Sequence, residues 1–285
     1  MTTAYLNGCF LPLEEARISP MDRGFLFGDG IYEVIPSYDR NMVGFERHMD
    51  RLATGLAAIA IDNPFSTEQW QNILGELLDA NPWSDAAVYL QVTRGAAPVR
   101  NHRYPSNCQP TIFAYPFAIP SRNEGDASTV VCYSAVTGTD QRWQRCHIKS
   151  VALLGNVLHM MEGADRGADE ILLFNDANEL TEAAACNVFV VIDGQVLTPP
   201  LDQQKLPGIT RNMLIDILQT YGDIPFAERV VTRDQVASAD EIWLTSSTKE
   251  VVPVTQLDGN KVGSGQPGPY WQKAQRLFDR YRFNI

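Results

Sequence analysis

Apolar side chains recur at two different spacings along the first hundred residues. Residues 31–35 (IYEVI) have an alternation that suits a half-buried β-strand, and residues 88–93 predict a second strand. Residues 46–59 carry apolar side chains at intervals of three, four and three, which lines one face of a helix. A second helix is expected after residues 66–68. The apolar face of the first helix consists of Met49, Leu52, Leu56 and Ile59.

A tract rich in Pro, Gly, Ser and charged residues follows this region. Residues 115–126 read YPFAIPSRNEGD, a composition typical of a connection between domains. We therefore expect an N-terminal small domain over residues 1–118, an interdomain linker over residues 119–126 and a larger C-terminal domain over residues 127–285. The length of 285 residues agrees with two domains, because one domain usually has about 150 residues.

The C-terminal half mixes runs typical of strands with helical spacing. A turn at Asp193-Gly194 predicts a hairpin between its flanking runs. A polar segment at residues 206–211 precedes an amphipathic helix, and another helix is expected over residues 153–162. These patterns predict a mixed α/β fold of the α+β type. The predicted strands cover residues 129–133, 171–174, 187–192, 196–197 and 242–244.

Composition and charge exclude several classes of protein. Hydrophobic residues make up 45% of the chain and charged residues 20%, which excludes a mainly disordered protein. A net charge of −11 would repel a phosphate backbone, so we expect no nucleic-acid partner. The sequence has neither an apolar run of about 18 residues nor a targeting segment, and we expect a cytoplasmic protein without membrane contact. Five widely spaced cysteines without a Cys-x-x-Cys pair predict reduced, mostly buried thiols and no metal site.

Lys149 is the first candidate for chemistry. It lies in the mostly apolar segment HIKSVALLGN, where an isolated ammonium group would be costly to bury. A lysine at a strand end is often simply exposed to solvent. The functional alternative is a Schiff-base lysine, whose amine must be partly desolvated to lose its proton and attack an aldehyde.

Glu182 is the second candidate. It lies in the segment 179–187 (ELTEAAACN), which leads directly into a predicted apolar strand. Its carboxylate could cap a turn. It could also pair with a pyridinium nitrogen and keep that nitrogen protonated, so that the ring accepts the electron pair left by a carbon acid.

Two polar segments could bind an anion. Residues 207–211 (PGITR) start a predicted helix, whose first N–H groups and positive dipole end attract negative charge, although an ordinary helix cap explains them equally well. Residues 245–248 (TSST) follow a predicted strand and offer hydroxyl and N–H groups to the same kind of ligand. Together the two segments suit one phosphate group.

The order and spacing of these motifs resemble the class IV pyridoxal-phosphate aminotransferases from about residue 5 to residue 260. The resemblance implies the two-domain fold type IV architecture, with pyridoxal 5'-phosphate between the domains and an active site completed by the second subunit of a homodimer. The motifs that carry it are Asp22-Arg23-Gly24, residues 27–33 (FGDGIYE), Lys149 with Asn156, Thr181-Glu182, Asn187-Val188-Phe189, residues 207–211 and Thr245-Ser246.

The resemblance also implies roles for individual residues. Lys149 would be the catalytic Schiff-base lysine and proton shuttle, and Glu182 the acid at the pyridine nitrogen. Arg51 would bind the phosphate, although an arginine beside Asp50 on a helix is otherwise more often a solvated charge. The remaining cofactor-binding residues implied are Ile209, Thr210, Ser246 and Ser247.

Residues 88–105 resemble the D-amino acid aminotransferase subfamily in particular. In that subfamily an arginine and a histidine two residues apart bind the substrate α-carboxylate together with a tyrosine, which here implies Arg100, His102 and Tyr32. Without the resemblance, an Arg-x-His in a loop flanked by prolines is most often solvated. The resemblance implies amino transfer between D-amino acids and 2-oxo acids, of the type D-alanine plus 2-oxoglutarate to pyruvate plus D-glutamate.

Other functions stay open at this point. Branched-chain L-amino acid aminotransferases and aminodeoxychorismate lyases share the cofactor motifs, but they are expected to lack the Arg100-x-His102 pair. The (R)-amine transaminases are a further neighbour. A non-catalytic binding protein on the same fold is a more remote alternative, against which the presence of Lys149, Glu182 and Arg51 argues.

Overall fold

The computed structural model describes residues 1–122 and 125–285. Contacts divide the chain into two compact units. Unit 1 comprises Met1–Ser121 and Ile148–Leu153, and unit 2 comprises Arg122–His147 and Leu154–Ile285. Lys149 therefore belongs to unit 1, although its sequence position lies in the predicted C-terminal domain. The predicted linker over residues 119–126 includes Asn123 and Glu124, which lie outside the described residues.

Unit 1 contains a six-stranded antiparallel sheet and three helices. The sheet has the order β2-β1-β6-β5-β3-β4. Its strands are β1 (Thr3–Leu6), β2 (Cys9–Pro12), β3 (Gly30–Tyr38), β4 (Asn41–Met42), β5 (Ala86–Thr93) and β6 (Thr111–Ala118). The helices are α1 (Arg23–Phe27), α2 (Phe45–Ala58) and α3 (Thr67–Asp79).

The hydrophobic pattern explains how unit 1 forms. Met49, Leu52 and Leu56 of α2 are buried in the core that also contains Ile31 and Ile35 of β3, so the predicted helix face and strand are confirmed. Helix α3 begins where predicted, after a capping box in which Ser66 and Gln69 satisfy each other's backbone N–H groups. The proline-containing residues 115–118 belong to β6 and pair with β5.

The segment 148–153 joins unit 1 through main-chain contacts. The backbone N–H of Tyr32 donates to the carbonyl oxygen of Lys149 at 3.0 Å. Gly28 has a φ of +67°, and a Cβ atom built on it would lie 2.8 Å from the Cβ of Ala152. Glycine is required at position 28 because the backbone there is left-handed and because Ala152 approaches it closely. This contact and the hydrogen bond from Tyr32 hold the segment that contains Lys149 against unit 1.

Unit 2 contains a nine-stranded mixed sheet of order β12-β11-β10-β13-β14-β7-β8-β9, and β15 pairs with β14. The strands are β7 (Tyr133–Thr139), β8 (Glu170–Phe174), β9 (Leu180–Ala183), β10 (Asn187–Ile192), β11 (Gln195–Thr198), β12 (Phe226–Glu228), β13 (Glu241–Ser246), β14 (Glu250–Leu257) and β15 (Asn260–Lys261). The helices are α4 (Leu154–Asp165), α5 (Ile209–Tyr221), α6 (Arg233–Ala237) and α7 (Pro269–Tyr281).

Most predicted elements of unit 2 are confirmed, including the hairpin, whose turn has positive φ at both Asp193 and Gly194. The strand predicted over residues 129–133 is wrong, because β7 begins only at Tyr133. Residues 126–130 form a turn in which the Asp126 side chain accepts the backbone N–H of Ser128 at 2.8 Å. Thr129 and Val131 are exposed and Val130 is only half-buried, so their β-propensity does not decide the structure.

The cysteine prediction holds only in part. All five cysteines are free thiols, as expected, but only Cys186 is buried. The other four lie near turns or at strand ends, where small apolar side chains are tolerated at the surface. Among the described residues, none of the helices is both long and apolar enough to span a membrane.

Candidate active site

Lys149 is half-buried against an aromatic surface of unit 1. Its Nζ atom lies 4.2 Å from the centroid of the Tyr32 ring, where the π electrons stabilise a positive charge. The Tyr32 ring in turn stacks on Tyr89 with centroids 5.7 Å apart. The structure therefore brings together two of the residues implied by the resemblance, the lysine and the tyrosine.

Arg51 is held by a buried carboxylate. Its Nε and one terminal nitrogen donate to the two oxygens of Glu33 at 2.8 and 2.7 Å, and His48 Nδ1 lies 2.7 Å from the same carboxylate. Burial alone would raise the pKa of Glu33, but the charge and hydrogen bonds of Arg51, with those of His48, lower it to about 2. Burial also lowers the pKa of His48. The solvated arginine suggested by helix position alone is wrong, because the Arg51 side chain is only 9% exposed.

Sequence reasoning missed Glu33 and His48 as parts of this site. Two signals were available. Glu33 occupies an inward position of β3, between the buried Ile31 and Ile35, and His48 precedes Arg51 by one helical turn on the buried face of α2. A charged residue in an apolar register indicates a buried partner.

Arg100 and His102 lie in an exposed loop of unit 1, and both contact one ring. The Arg100 guanidinium carbon lies 4.8 Å from the centroid of Phe27, and the His102 ring lies 5.3 Å from the same centroid. The structure thus places both side chains against the Phe27 ring. Phe27 itself was not expected to take part.

Glu182 is the centre of a buried polar network in unit 2. Its Oε2 accepts the side-chain N–H of Asn187 at 3.0 Å and the backbone N–H of Leu206 at 2.9 Å, while its Oε1 accepts from Arg142. Burial raises the pKa of Glu182, although Arg142 and the Leu206 N–H lower it in part. Glu182 does not cap a turn, so this simpler interpretation is wrong.

Arg142 is a functional candidate that the sequence did not reveal. Its guanidinium donates to both oxygens of Asp140, at 3.0 and 2.7 Å, and also contacts Glu182. Asp140 additionally accepts the hydroxyl of Thr181 at 2.7 Å. The available signal was weak, because Asp140 and Arg142 occur in a polar segment that resembles a surface loop.

The start of α5 lies beside this network and has no side-chain cap. Its cap residue Gly208 has no side chain to accept hydrogen bonds from the first turn, to which Ile209 and Thr210 belong. A Cβ atom on Gly208 would lie 2.0 Å from Oδ1 of Asn187, so only glycine allows the helix start to approach Glu182's network. At Gly208, therefore, helix α5 does not have the ordinary side-chain N-cap that the sequence left open.

The end of β13 lies on the same side of the network. Thr245 pairs with Asn187 across the β10–β13 ladder, and its buried hydroxyl has no hydrogen-bond partner among the described residues. Ser246 ends β13, and Ser247 begins the turn into β14. An unsatisfied hydroxyl, two serines and an uncapped helix start fit the oxygens of a phosphate, and the buried Glu182 fits a protonated ring nitrogen. The donor set of unit 2 therefore fits a phosphorylated pyridine.

Comparison with known proteins agrees with this chemistry. The family described as amino-transferase class IV matches residues 30–257. A D-alanine aminotransferase from Bacillus licheniformis is 39% identical over 269 residues, which cover 94% of this chain and 93% of that protein. A D-alanine aminotransferase from Staphylococcus haemolyticus is 36% identical, with 99% and 98% of the two chains covered.

Solved structures agree on the fold. The branched-chain amino acid aminotransferase of Escherichia coli superimposes with a TM-score of 0.89 at 24% identity, covering 98% of this chain and 93% of that one. The branched-chain aminotransferase of Thermoproteus uzoniensis gives a TM-score of 0.88, also at 24% identity, covering 99% and 95%. At this identity the likeness shows the fold alone, whereas the family match extends over most of the sequence. The chain belongs to the class IV aminotransferase family.

Proposed function

We propose that this protein is a D-amino acid aminotransferase, which moves the amino group of a D-amino acid such as D-alanine to a 2-oxo acid such as 2-oxoglutarate. The observation that carries the proposal is the pair Arg100 and His102, both of which contact the ring of Phe27. A guanidinium binds a carboxylate through two parallel hydrogen bonds, and an imidazole N–H adds a third. The identity of 39% to a D-alanine aminotransferase supports the same substrate class.

Pyridoxal 5'-phosphate is the cofactor of the proposed reaction, and its ring would accept the electron pair released at the substrate α-carbon. Glu182 would hold the proton on the ring nitrogen, and Arg51 would bind the phosphate. The other phosphate-binding groups would be Ile209, Thr210, Ser246 and Ser247.

Lys149 would hold the cofactor and move the proton of the substrate α-carbon. Its Nζ lies over the Tyr32 ring, so the amine is restricted to a small volume beside the proposed carboxylate-binding tyrosine. Restricting the base in this way lowers the entropic cost of proton transfer. Fixing the carboxylate on Arg100, His102 and Tyr32 decides which enantiomer presents its α-hydrogen to Lys149.

The test uses the purified protein saturated with pyridoxal 5'-phosphate and mixed separately with D-alanine and L-leucine. Turnover of D-alanine with 2-oxoglutarate supports the proposal, and turnover of L-leucine alone would instead indicate a branched-chain L-aminotransferase. Lys149→Ala should abolish transfer, while Arg100→Ala should raise KM for D-alanine more than it lowers kcat. Elimination from a substrate without amino transfer would favour a lyase of the same family.

We also propose that the protein forms a homodimer in the cytoplasm. Helix α4 exposes Leu154, Val157, Leu158 and Met161, which recur at helical spacing and form an apolar stripe on its outer face. Such a stripe is typical of a surface that another protein covers. The free thiols suit a reducing compartment. Light scattering should give the mass of a dimer for the wild type and a lower mass for Leu158→Asp.

A further inference from the structure

An ionic cluster lies beneath the loop that carries Arg100 and His102. Arg23, only 3% exposed, donates through Nε to Asp29 at 2.7 Å. Arg94 donates to both oxygens of the same carboxylate, at 2.8 and 3.0 Å. Burial would raise the pKa of Asp29, but the hydrogen bonds and charges of Arg94 and Arg23 lower it below its ordinary value. The carboxylate is therefore ionised and holds two guanidinium groups in fixed positions.

Both arginines reach from this cluster to the loop. The terminal nitrogens of Arg23 donate to the backbone carbonyls of Asn101 at 2.5 Å and His102 at 3.4 Å. The guanidinium of Arg94 lies 3.6 Å from the centroid of the Tyr104 ring. The main chain on either side of His102 is thus attached to a buried ion pair, although the side chains of the loop are exposed.

Phe27, the last residue of α1, collects three cationic or potentially cationic side chains around one ring. The guanidinium carbon of Arg23 lies 4.7 Å from its centroid, that of Arg100 lies 4.8 Å away, and the His102 ring lies 5.3 Å away. Helix α1 ends at Phe27 because Gly28 takes the left-handed conformation, with φ of +67°. The ring position is therefore fixed by a helix cap rather than by the loop itself.

We propose that Arg23 and Phe27 are positioning residues for the substrate carboxylate. Arg23 holds the main chain at residues 101–102, and the ring of Phe27 holds the side chains of Arg100 and His102 against it. The inference rests on the proposed function, because it needs Arg100 and His102 to bind the carboxylate. Its physical basis is preorganisation: a long side chain that already occupies its binding position loses less conformational freedom when the ligand arrives.

The kinetic test compares two substitutions in the same short helix. Phe27→Leu removes the π surface but keeps an apolar side chain, and it should raise KM for D-alanine about three- to tenfold while kcat changes less than twofold. Phe27→Tyr keeps the ring and should restore the wild-type KM. Phe25→Leu is the matched control, because Phe25 exposes 70% of its surface, and it should leave both constants unchanged.

A second test measures loop order without using activity. Trypsin can cut after Arg100 and Arg103, and the rate depends on how often the loop opens. Arg23→Gln should increase cleavage at these two bonds about tenfold, and Phe27→Leu by less, while cleavage after Arg122 serves as the internal control. Equal cleavage in the wild type and both variants would overturn the anchoring role.

The two tests separate this inference from the proposed function. A wild type without turnover of D-alanine would overturn the proposed function. Normal wild-type turnover together with an unchanged KM in Phe27→Leu would overturn the inference alone. Faster loop cleavage combined with a raised KM and preserved kcat would support both.

Discussion

Glu33 in unit 1 and Glu182 in unit 2 are both buried carboxylates in contact with an arginine, yet their acidities move in opposite directions. The pKa of Glu33 falls to about 2, whereas the pKa of Glu182 rises above its ordinary value. Burial raises both. The difference therefore lies in the partners and not in the depth of the carboxylate.

The arginine that contacts Glu182 is shared with a second carboxylate, Asp140. Arg51 gives two hydrogen bonds to Glu33, so the pair is neutral. Arg142 gives two hydrogen bonds to Asp140 as well as contacting Glu182, so one positive charge faces two negative charges. A buried cluster with one excess negative charge is costly unless a further cation joins it.

This difference indicates what each cluster can do. The neutral Glu33–Arg51 pair, with His48, has the composition of a structural clamp that fixes a donor group in place. The cluster at Glu182 is complete only with an added positive charge, such as the protonated ring nitrogen of the proposed cofactor. Under the proposed function, the pair in unit 1 would fix a phosphate donor in place, and the cluster in unit 2 would hold a cation.

The largest effect is expected from Glu182→Gln. Glutamine keeps the size and can still accept the N–H groups of Asn187 and Leu206, but it removes the charge that would stabilise a protonated ring nitrogen. We expect kcat for D-alanine to fall about 100- to 1,000-fold with the protein still folded. Steady-state kinetics and circular dichroism measure the two properties. A variant that retains a third of the wild-type kcat would contradict the role assigned to Glu182.

The main effect of Glu33→Gln should be a lower stability of the folded protein. The substitution removes the negative charge that receives two hydrogen bonds from the buried Arg51, whose side chain is 9% exposed, which costs about 3 kcal/mol of unfolding free energy. Hydrogen exchange of the β3 and α2 amides localises the loss to unit 1. Asp50→Asn, at an exposed position of the same helix, is the control and should change these rates little. Equal protection in Glu33→Gln and the wild type would show that the pair adds nothing to stability.

The elements around these clusters could largely be predicted from sequence, because each depends on local spacing. The alternation at Ile31 and Ile35 and the helical spacing of Leu52 and Leu56 describe burial directly. The prediction of a strand over residues 129–133 was wrong, because apolar β-branched residues do not form a strand without a surface to pack against. Local pattern carries no information about that surface.

Residues of the candidate site could be predicted from sequence only where they belong to a recognisable motif. Lys149, Glu182 and Gly208 occur in motifs whose order resembles the family. Arg142 and Phe27 depend on contacts between residues distant in sequence: Arg142 contacts a carboxylate 40 positions away, a pairing no local pattern encodes. Long-range ion pairs therefore had to come from the structure.

The opposite pKa shifts of Glu33 and Glu182 predict a smaller effect, on how the free energy of unfolding changes with pH. Glu33 has a lowered pKa in the folded state, so its contribution to stability is complete above pH 4.5 and is lost as the pH falls toward 2. Glu182 has a raised pKa, so its contribution has the opposite sign and is lost as the pH rises through the folded value. Urea unfolding from pH 6 to 3 should show a shallower acid loss for Glu33→Gln than for wild type, by up to about 1.4 kcal/mol per pH unit.

For Glu182→Gln the same titration should show a steeper acid loss than for wild type, since the variant lacks a group that favours the folded state when protonated. His48 has a lowered pKa and adds the same acid sensitivity to the wild type and to Glu182→Gln. In Glu33→Gln it loses the hydrogen bond and charge that raise its pKa, so its acid sensitivity there increases and offsets part of the shallower loss. If the unfolding free energies of the two variants had the same pH dependence, the pKa values of Glu33 and Glu182 would not shift in opposite directions.

The smallest effect is expected from Asp140→Asn, which tests whether sharing of Arg142 sets the properties of Glu182. The negative charge of Asp140 contributes to the raised pKa of Glu182, after burial as the main cause. Without it, Arg142 is available to Glu182 alone and the cluster becomes neutral, like that of Glu33. Glu182 would then favour a cationic partner less, so we expect kcat to fall about three- to tenfold and pyridoxal 5'-phosphate to dissociate faster, with KM for D-alanine unchanged. Thr181→Val, which removes a hydrogen bond to Asp140 but no charge, is the control. If both variants lost activity equally, packing around Asp140 rather than its charge would explain the effect.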